Sequence, residues 1–444
     1  MRERLTGAFE LLGSNSRYRW YFLARFSSVT GTTVAPLGLA FAVLQAGGGP
    51  ADLSLVLVAG PVIFLLVMPV AGVAADRFPR QVIIITCQVV SGLTQAATAA
   101  AILTGTADTE MLAGLALLTG AAGAFFQPAM KGLLPQLVDG PMLAHANALL
   151  QLAGNGIAIG GPALAGLVIA GIGPGWVLAF DALSFGVSAV IFLTLRLPPI
   201  SRPRPRQGVV ADLAAGWSAF TCRRWLWVLT VQGALTAGCW AAGVSVLGPV
   251  YADRYLDGAM GWGVVNSAIG VGLAAGSVAS LLLRPARVGL IVCGAALVEA
   301  LLLVAMAAGW PLPLIAVAGA FTGAGGTMQL IAWTSYMQEH VPDEYLSRVL
   351  SITALVGTLL VPVFYALAGP SAEAFGIQPV LWACTAIVIA AAAVSIFVTE
   401  VRQLSTCQTS ALERQLPDLY AQNTPASGAR HLPPADSPTI PDGA

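Results

Sequence analysis

Three ionisable side chains, Arg25, Asp181 and Glu299, lie inside long apolar stretches of the sequence. A charge at the centre of a bilayer costs about 2.5–3.5 kcal/mol on insertion scales, and less where the side chain can reach the headgroups. Arg25 and Asp181 are near the ends of their stretches, so Arg25 can reach headgroups and Asp181 can hydrogen-bond with Ser184. Glu299 is near the middle of its stretch, so it must be paired, or protonated and hydrogen-bonded. By depth, Glu299 is the first candidate for proton coupling and Asp181 is the second.

Other kinds of chemistry have little support. The six cysteines are far apart and form no CxxC pair, so they predict neither a metal site nor a disulfide framework. Lys131 is the single lysine and does not belong to a GxxxxGK[ST] phosphate-binding loop. The 21 basic and 21 acidic residues cancel, which gives a nucleic-acid partner no electrostatic support. We therefore expect no enzyme activity, no catalytic residues, no cofactor, no metal and no nucleic acid.

The elements that hold these residues are predicted to be membrane-spanning helices. Of 444 residues, 57% are hydrophobic and 9% are charged, whereas soluble domains carry roughly 25% charged residues. A hydrocarbon core of about 30 Å needs about 20 apolar residues per helix, and the sequence contains twelve such stretches, each too continuous and too long for a barrel strand. They predict an all-α, polytopic membrane protein. The predicted spans are 22–44, 54–75, 82–104, 111–130, 147–170, 176–196, 225–248, 262–283, 288–308, 313–334, 349–369 and 378–399.

The basic residues predict the orientation. Of the 21 lysines and arginines, all but Arg25 and Arg254 fall at the termini or in loops on one side of the predicted spans. The positive-inside rule then places both termini in the cytoplasm, with the chain passing repeatedly through the cell (inner or plasma) membrane. The first twenty residues contain four arginines and no cleavable signal pattern, so we expect the first span to act as the anchor.

The polar stretch 197–224 divides the twelve spans into six plus six. The sequence VDGPML at 138–143 and its echo VPDEYL at 341–346 support two parallel repeats, an arrangement found in one class of secondary transporters. Residues 400–444 are polar and proline-rich, so we expect a disordered cytoplasmic tail, with a regulatory role as an alternative. The predicted organisation is a cytoplasmic N-terminus (1–21), a first half (22–196), a cytoplasmic linker (197–224), a second half (225–399) and the tail (400–444).

Several motifs resemble those of a known family. Gly72 precedes the pair Asp76-Arg77 by four residues, and Arg80 follows, as in the loop 2–3 signature of the major facilitator superfamily. Segments 126–148, 161–166 and 181–185, together with Arg348-Val349 and Pro362, are similar to its twelve-span drug:proton antiporter branch of macrolide-efflux and enterobactin-exporter-like proteins. The likeness covers roughly 15–400. It implies a rocker-switch fold, in which spans 1, 4, 7 and 10 line a central cavity and spans 3, 6, 9 and 12 lie outside.

The resemblance implies a cytoplasmic gate formed by Gly72, Asp76, Arg77 and Arg80. A carboxylate at position 76 can meet the positive N-terminus of another helix, which the family likeness identifies as span 11. For the two arginines alone, the positive-inside rule is an equally good explanation.

The resemblance also implies a hinge between the halves at Gly161, Pro162 and Gly166, similar to the antiporter motif. Close helix packing by small residues is the alternative. The branch often carries a carboxylate after the glycine in span 1, where this chain has Gly31-Thr32, and the span 4 arginine of commoner drug antiporters is also absent. Proton coupling is thus implied by the family while its usual carrier is missing.

Polar and aromatic residues recur at steps of three or four on the predicted lining spans, which places each set on one helix face. Uncharged polar groups and indoles favour an amphipathic, largely neutral organic molecule. Helix–helix hydrogen bonding, with tryptophan at the membrane interface, is the alternative. The candidate cavity residues are Arg25, Thr32, Gln127, Gln232, Thr236, Trp240, Gln329 and Trp333.

Together these features predict a secondary active transporter that exports a lipophilic or amphipathic small molecule by alternating access, in exchange for protons. Within this class, the alternatives are a siderophore or secondary-metabolite exporter, or an importer of lipids or solutes. A non-transporting membrane sensor or scaffold is the alternative from another class. The expected partners are the substrate, protons and the lipid bilayer, and we expect a monomer.

Overall fold

The computed structural model describes residues 11–131, 133–195, 217–218, 220–282 and 287–404, apart from the side chains of Val73, Ala75, Asp76, Lys131, Pro141, Asp343, Glu344 and Ser347. In these ranges, twelve helices are long and apolar enough to cross a membrane. This confirms the all-α, twelve-span prediction. Residues 405–444 of the predicted tail, most of the linker and the first ten residues lie outside the described ranges. The start of the predicted tail belongs to a short helix, Thr399–Gln403.

Six of the long helices form the first half. The Asn15 side chain accepts the Tyr18 amide hydrogen at 3.0 Å and so caps the first helix. Gly105, at a φ of 72°, ends the third helix in the left-handed conformation. A short helix (Leu134–Leu137) and a 3₁₀ turn (Gly140–Met142) precede the fifth. The six are α1 (Ser16–Gln45), α2 (Pro50–Arg77), α3 (Arg80–Thr104), α4 (Thr109–Lys131), α5 (Leu143–Ile172) and α6 (Pro174–Thr194).

Six more form the second half, and two of them are irregular. The first contains a π-helical segment, Ala241–Val246. The fifth consists of Asp343–Leu359 and Val361–Phe375, interrupted at Leu360, because Pro362 has no amide hydrogen to continue the ladder. The six are α7 (Arg224–Tyr255), α8 (Gly258–Leu282), α9 (Val288–Ala307), α10 (Leu312–His340), α11 (the two segments within Asp343–Phe375) and α12 (Ile377–Phe397).

Several helices are longer than the predicted spans. α1 begins at Ser16 and not at 22, α7 continues to Tyr255 and not 248, and α10 continues to His340 and not 334. Hydropathy marks only the apolar part of a helix, whereas backbone hydrogen bonding continues into the headgroup region.

The two ends of the bundle differ in charge. We call the end that carries Ser16, Arg77, Arg80, Arg224 and His340 the basic face, and the other end, with Gln45, Pro50, Tyr255 and Phe375, the opposite face. Large apolar side chains near the middle of their helices, such as Leu93 and Leu183, are 65–67% exposed on the flanks between these faces. Lipid is the environment in which such flanks are stable.

Among the described residues, the hydrophobic core that the halves share lies toward the opposite face. One core cluster there joins residues of both halves, including Phe41, Leu53, Ile169, Tyr251 and Trp262. Toward the basic face, each half has a cluster of its own, one around Tyr18, Ile84 and Phe192 and the other around Trp225, Met337 and Val349. The bundle is therefore packed together at the opposite face and split into two halves toward the basic face.

Candidate functional site: a cavity in the second half

A cavity of about 730 Å³ lies in the second half between α7, α9, α10 and α11. This is within the range of pockets that hold drug-sized molecules. Its wall extends from Glu299 and Tyr365, deep in the bundle, to Met337, three residues before α10 ends at the basic face. Most lining residues are apolar or uncharged polar side chains.

Glu299 reaches this cavity although it belongs to α9, a helix that the family likeness places outside the lining set. The reason lies in the sequence of α10, where Gly326 has no side chain to cover it and Gly325 packs against Ala295 and Val298 of α9. A Cβ atom at Gly326 would lie 3.5 Å from the Glu299 Oε1 atom. The Thr322 hydroxyl donates to the carbonyl oxygens of Val298 and Glu299, at 3.3 and 3.4 Å, and so ties α10 to α9 at this level.

The carboxylate of Glu299 accepts no hydrogen bond from the residues that the structure describes. Two other polar atoms near the cavity also lack a hydrogen-bond partner among the described residues. Oε1 of Gln329 and Oγ1 of Thr353 are buried without a hydrogen-bond partner in the described part of the chain. The carboxylate of Glu299 on the cavity wall is therefore a group that a proton or a ligand can satisfy.

Four of the predicted cavity residues line this cavity: Thr236 and Trp240 on α7, and Gln329 and Trp333 on α10. The Trp333 ring also packs edge-on against the Trp225 ring, with centroids 5.8 Å apart. The Thr236 hydroxyl donates to the backbone carbonyl of Gln232 at 3.0 Å, so its hydrogen is already used in a bond within α7.

Gln232 lies elsewhere. It is 2% exposed and is absent from the cavity wall. The Cys293 thiol on α9 donates to its Oε1 at 3.5 Å, while its Nε2 lacks a partner among the described residues. It is part of the contact between α7 and α9, because its position on α7 faces α9 rather than α10.

The three candidates in the first half are not part of this cavity. Thr32 and Gln127 are exposed, and Arg25 is half-buried. The Arg25 guanidinium lies over the Phe126 ring, with its carbon 5.7 Å from the centroid, a cation–π arrangement between α1 and α4. The Thr32 hydroxyl donates to the Ser28 carbonyl of its own helix at 2.9 Å.

Asp181 has a closed environment in the first half. It is 0% exposed on α6, and its Oδ2 accepts a hydrogen bond from Gln95 Nε2 on α3 at 2.7 Å. The Ser184 hydroxyl lies 3.4 Å from Oδ1. A Cβ atom at Gly31 of α1 would collide with Asp181 Oδ1 and with Ser184 Oγ. Asp181 is thus a hydrogen-bonded link between α6 and α3, packed against α1.

The predicted gate residues lie at the end of α2 on the basic face. Gly72 has open space where a Cβ would be, and Arg77 is exposed. Arg80 is half-buried and takes part in an interaction. The Asp76 side chain, and those of Asp343, Glu344 and Ser347 at the start of α11, lie outside the described set, so the predicted contact between Asp76 and span 11 is not visible.

Two of the predicted hinge residues, Pro162 and Gly166, lie on a close contact between α5 and α8, whereas a Cβ at Gly161 would lie 3.2 Å from the Val34 side chain of α1. A Cβ at Gly166 would lie 2.6 Å from the Ala259 carbonyl oxygen, and one at Gly263 would lie 2.6 Å from that of Pro162. The Ala163 amide donates to Ser267 Oγ at 2.9 Å. Small residues therefore let the two halves approach along this seam.

A second contact between the halves joins α2 and α11 at the opposite face. The Gly369 amide donates to Ser54 Oγ at 2.7 Å. The Glu373 carboxylate accepts the amide hydrogen of Ala51 at 3.0 Å, so the end of α11 caps the start of α2. A carboxylate is favoured there by the helix dipole. These contacts close the opposite face.

None of the predicted cavity residues lies on α11, although this helix contributes part of the wall. Its lining residues recur at steps of three or four, so the signal was present as a stripe on one helix face. Such a stripe is equally typical of helix packing, so the pattern alone cannot identify it. They are Leu350, Thr353, Ala354, Gly357, Thr358, Val361 and Tyr365.

Comparisons with known proteins agree with this architecture. The chain is 28% identical to the multidrug efflux pump Tap of Mycolicibacterium fortuitum over 405 residues, which cover 88% of this chain and 98% of that protein. It is 28% identical to the enterobactin exporter EntS of Shigella boydii serotype 18 over 287 residues, 63% of this chain and 67% of that protein.

Solved structures show the same fold. The nucleoside transporter NupG superposes with a TM-score of 0.70 at 12% identity, covering 86% of this chain and 98% of that one. A bacterial homologue of the iron transporter ferroportin in an inward-facing state superposes with a TM-score of 0.67 at 16% identity and the same coverage. The sequence profile of the Major Facilitator Superfamily matches residues 21–359. The chain is therefore a multi-pass plasma-membrane transporter of the Major Facilitator Superfamily, and not an enzyme.

Proposed function

We propose that this transporter exports an amphipathic organic molecule, in exchange for protons, by alternating access. The observation that carries the proposal is the position of Glu299. Its carboxyl group, which accepts no hydrogen bond from the described residues, lies on the wall of a cavity that is closed from the opposite face and extends to the basic face. Similarity to a multidrug efflux pump over most of both chains supports the direction of transport.

The distribution of basic residues supports an orientation with the basic face and both termini in the cytoplasm. In that orientation, the substrate enters the cavity from the cytoplasmic side. Opening to the exterior then requires the halves to rotate about the α5–α8 seam and to separate at the opposite face, where the Ser54 and Glu373 hydrogen bonds link them. Gly161, Pro162 and Gly166 act as the hinge, and the segment from Gly72 to Arg80 closes the cytoplasmic side.

Glu299 is the residue that carries the proton in this proposal. Protonation removes the cost of an unpaired charge in a low-dielectric wall, and access from alternate sides lets the proton load outside and leave inside. One proton crossing about 150 mV releases about 3.4 kcal/mol, which sustains a roughly 300-fold substrate gradient. Asp181, which already accepts hydrogen bonds from its neighbours, has a structural role.

Flux measurements in proteoliposomes with an imposed pH gradient test the proposal. We expect substrate movement that follows the gradient, and loss of that dependence in Glu299→Gln with substrate binding retained. Asp181→Asn serves as the matched variant, because it neutralises the other intramembrane carboxylate. Movement that is indifferent to the gradient, or coupled flux that persists in Glu299→Gln, counts against the assignment of this residue.

The closed opposite face can be tested separately by cysteine labelling. In the double variant, Ser54→Ala removes the acceptor of the Gly369 amide. Glu373→Gln weakens the acceptor of the Ala51 amide. We expect a cysteine introduced at Thr236 to become several-fold more accessible from the exterior, since each hydrogen bond contributes about 1 kcal/mol. Unchanged labelling would show that these hydrogen bonds are not needed to keep the opposite face closed.

A siderophore-like molecule is the second candidate substrate, supported by the similarity to an enterobactin exporter. Cells with and without the gene, compared for drug susceptibility and for siderophore release, separate the two substrate classes.

A further inference from the structure

The cavity has an unbalanced charge. Among the described residues that line it, Glu299 carries a carboxyl group and no lysine, arginine or histidine is present. Among the same described lining residues, Tyr365 on α11 is the second titratable side chain. A single negative charge in a low-dielectric wall, with no cation to balance it, is compensated by a proton or by a positively charged ligand.

The neutral polar groups next to Glu299 carry no charge that could balance it. Gln329 lies one helical turn from Gly326, which borders Glu299, so the amide and the carboxylate belong to the same region of the wall. The Oε1 atom of Gln329 is itself buried without a hydrogen-bond partner in the described part of the chain. A ligand that carries positive charge or donates hydrogen bonds satisfies the carboxylate, whereas an anion does not.

Aromatic rings complete the site. Trp240, Trp333 and Tyr365 contribute to the same wall. The faces of such rings attract organic cations, most strongly where water is excluded. The rings also provide the apolar contact that an amphipathic molecule needs.

We propose that this cavity selects amphipathic organic monocations, and that Glu299 is the residue that determines the selectivity; the inference rests on the exporter function proposed above. The uncharged polar residues by themselves predict a largely neutral ligand. The carboxylate changes that expectation, because α10 is glycine-rich at its level and leaves it exposed to the cavity.

Two ions of nearly equal size and shape test the selectivity. Tetraphenylphosphonium is a cation and tetraphenylborate is an anion, so a difference in their binding reports charge rather than shape. Binding of each to the purified full-length chain in detergent can be followed by quenching of tryptophan fluorescence and confirmed by equilibrium dialysis. We expect the cation to bind at least about tenfold more tightly than the anion, the size of one desolvated cation–π or charge contact.

Three variants identify the residue responsible. Glu299→Gln should lower cation affinity at least about tenfold and bring the two affinities together, whereas Glu299→Asp should keep the preference. Glu110→Gln is the matched control, because it removes the same charge from an exposed position near the opposite face. It should leave both affinities unchanged. Where Glu299→Gln does not fold, the ratio of cation affinity to anion affinity in the wild type and in Glu299→Asp still tests the selectivity.

Failure of this inference differs from failure of the proposed function. Equal binding of the two ions, binding of neither, or an unchanged ratio in Glu299→Gln overturns the selectivity even where proton-driven export is observed. Charge-selective binding that depends on Glu299 supports it, even where flux turns out to be indifferent to the pH gradient.

Discussion

Asp181 and Glu299 are the two carboxylates within the spans, and their surroundings differ. Asp181 is fully enclosed in the first half, where Gln95 and Ser184 donate to it and Gly31 packs against it. Glu299 lies at the wall of a cavity in the second half, beside Gly326, and accepts no hydrogen bond from the described residues. A buried carboxylate whose donors are in place holds helices together, while one that lacks them is available to a proton or ligand.

The largest effect is expected at Gly31. In Gly31→Ala the new methyl group would collide with Asp181 Oδ1 and lie 2.9 Å from the Asp181 Cα, so α1 and α6 must move apart. We expect a loss of about 3 kcal/mol or more in the free energy of unfolding and little monodisperse protein in detergent. The measurement is the thermal unfolding midpoint by fluorescence. Gly186→Ala on α6, where a Cβ meets open space, is the control and should be neutral or slightly stabilising.

The second test exchanges the charge at each site. Glu299→Gln should reduce proton-driven flux to the level of empty liposomes, whereas Asp181→Asn should leave flux within about threefold and cost about 1–2 kcal/mol of stability. The reason is that asparagine keeps an oxygen for Gln95 but loses the charge-assisted bond. Flux and unfolding measured on the same preparations decide between the sites, and the reverse pattern would make Asp181 the coupling residue.

A third test asks how far the Asp181 site depends on Gln95. Gln95→Leu removes the donor and leaves Oδ2 of a buried carboxylate unsatisfied, so we expect a loss of about 1–3 kcal/mol in unfolding free energy. A double-mutant cycle with Asp181→Asn should show a coupling of about 0.5–3 kcal/mol, as for groups in direct contact. Additive effects would mean that the hydrogen bond contributes nothing to stability.

The smallest effect is expected at Gly326. In Gly326→Ala, a methyl group would lie 3.5 Å from Glu299 Oε1, at ordinary contact distance. Stability should change by less than about 0.5 kcal/mol, while affinity for a bulky cation falls a few-fold because the space beside the carboxylate is reduced. Binding of tetraphenylphosphonium checks this, with Gly294→Ala on α9, which faces open space, as the control.

Much of the site was not predictable, for reasons visible at particular residues. Trp240, Gln329 and Trp333 line the cavity as their helical spacing predicts. Gln232 has the same spacing but faces α9 instead, because the rotation of α7 against its neighbours depends on packing. Depth in the membrane ranks Glu299 first, although the family likeness places α9 outside the lining set. The glycine of α10 that exposes it is visible in the sequence, but its alignment with Glu299 is not.

The sequence by itself determined the number of spans and their type, because apolar length acts locally and needs no partner. The expectation for the two cytoplasmic termini is likewise local, because it depends on the basic loops. Tertiary structure alone decided which carboxylate is enclosed and which is accessible, where the cavity lies, and which face is closed. Those properties depend on which helix surfaces meet, and a periodic pattern specifies a face of a helix without specifying its neighbour.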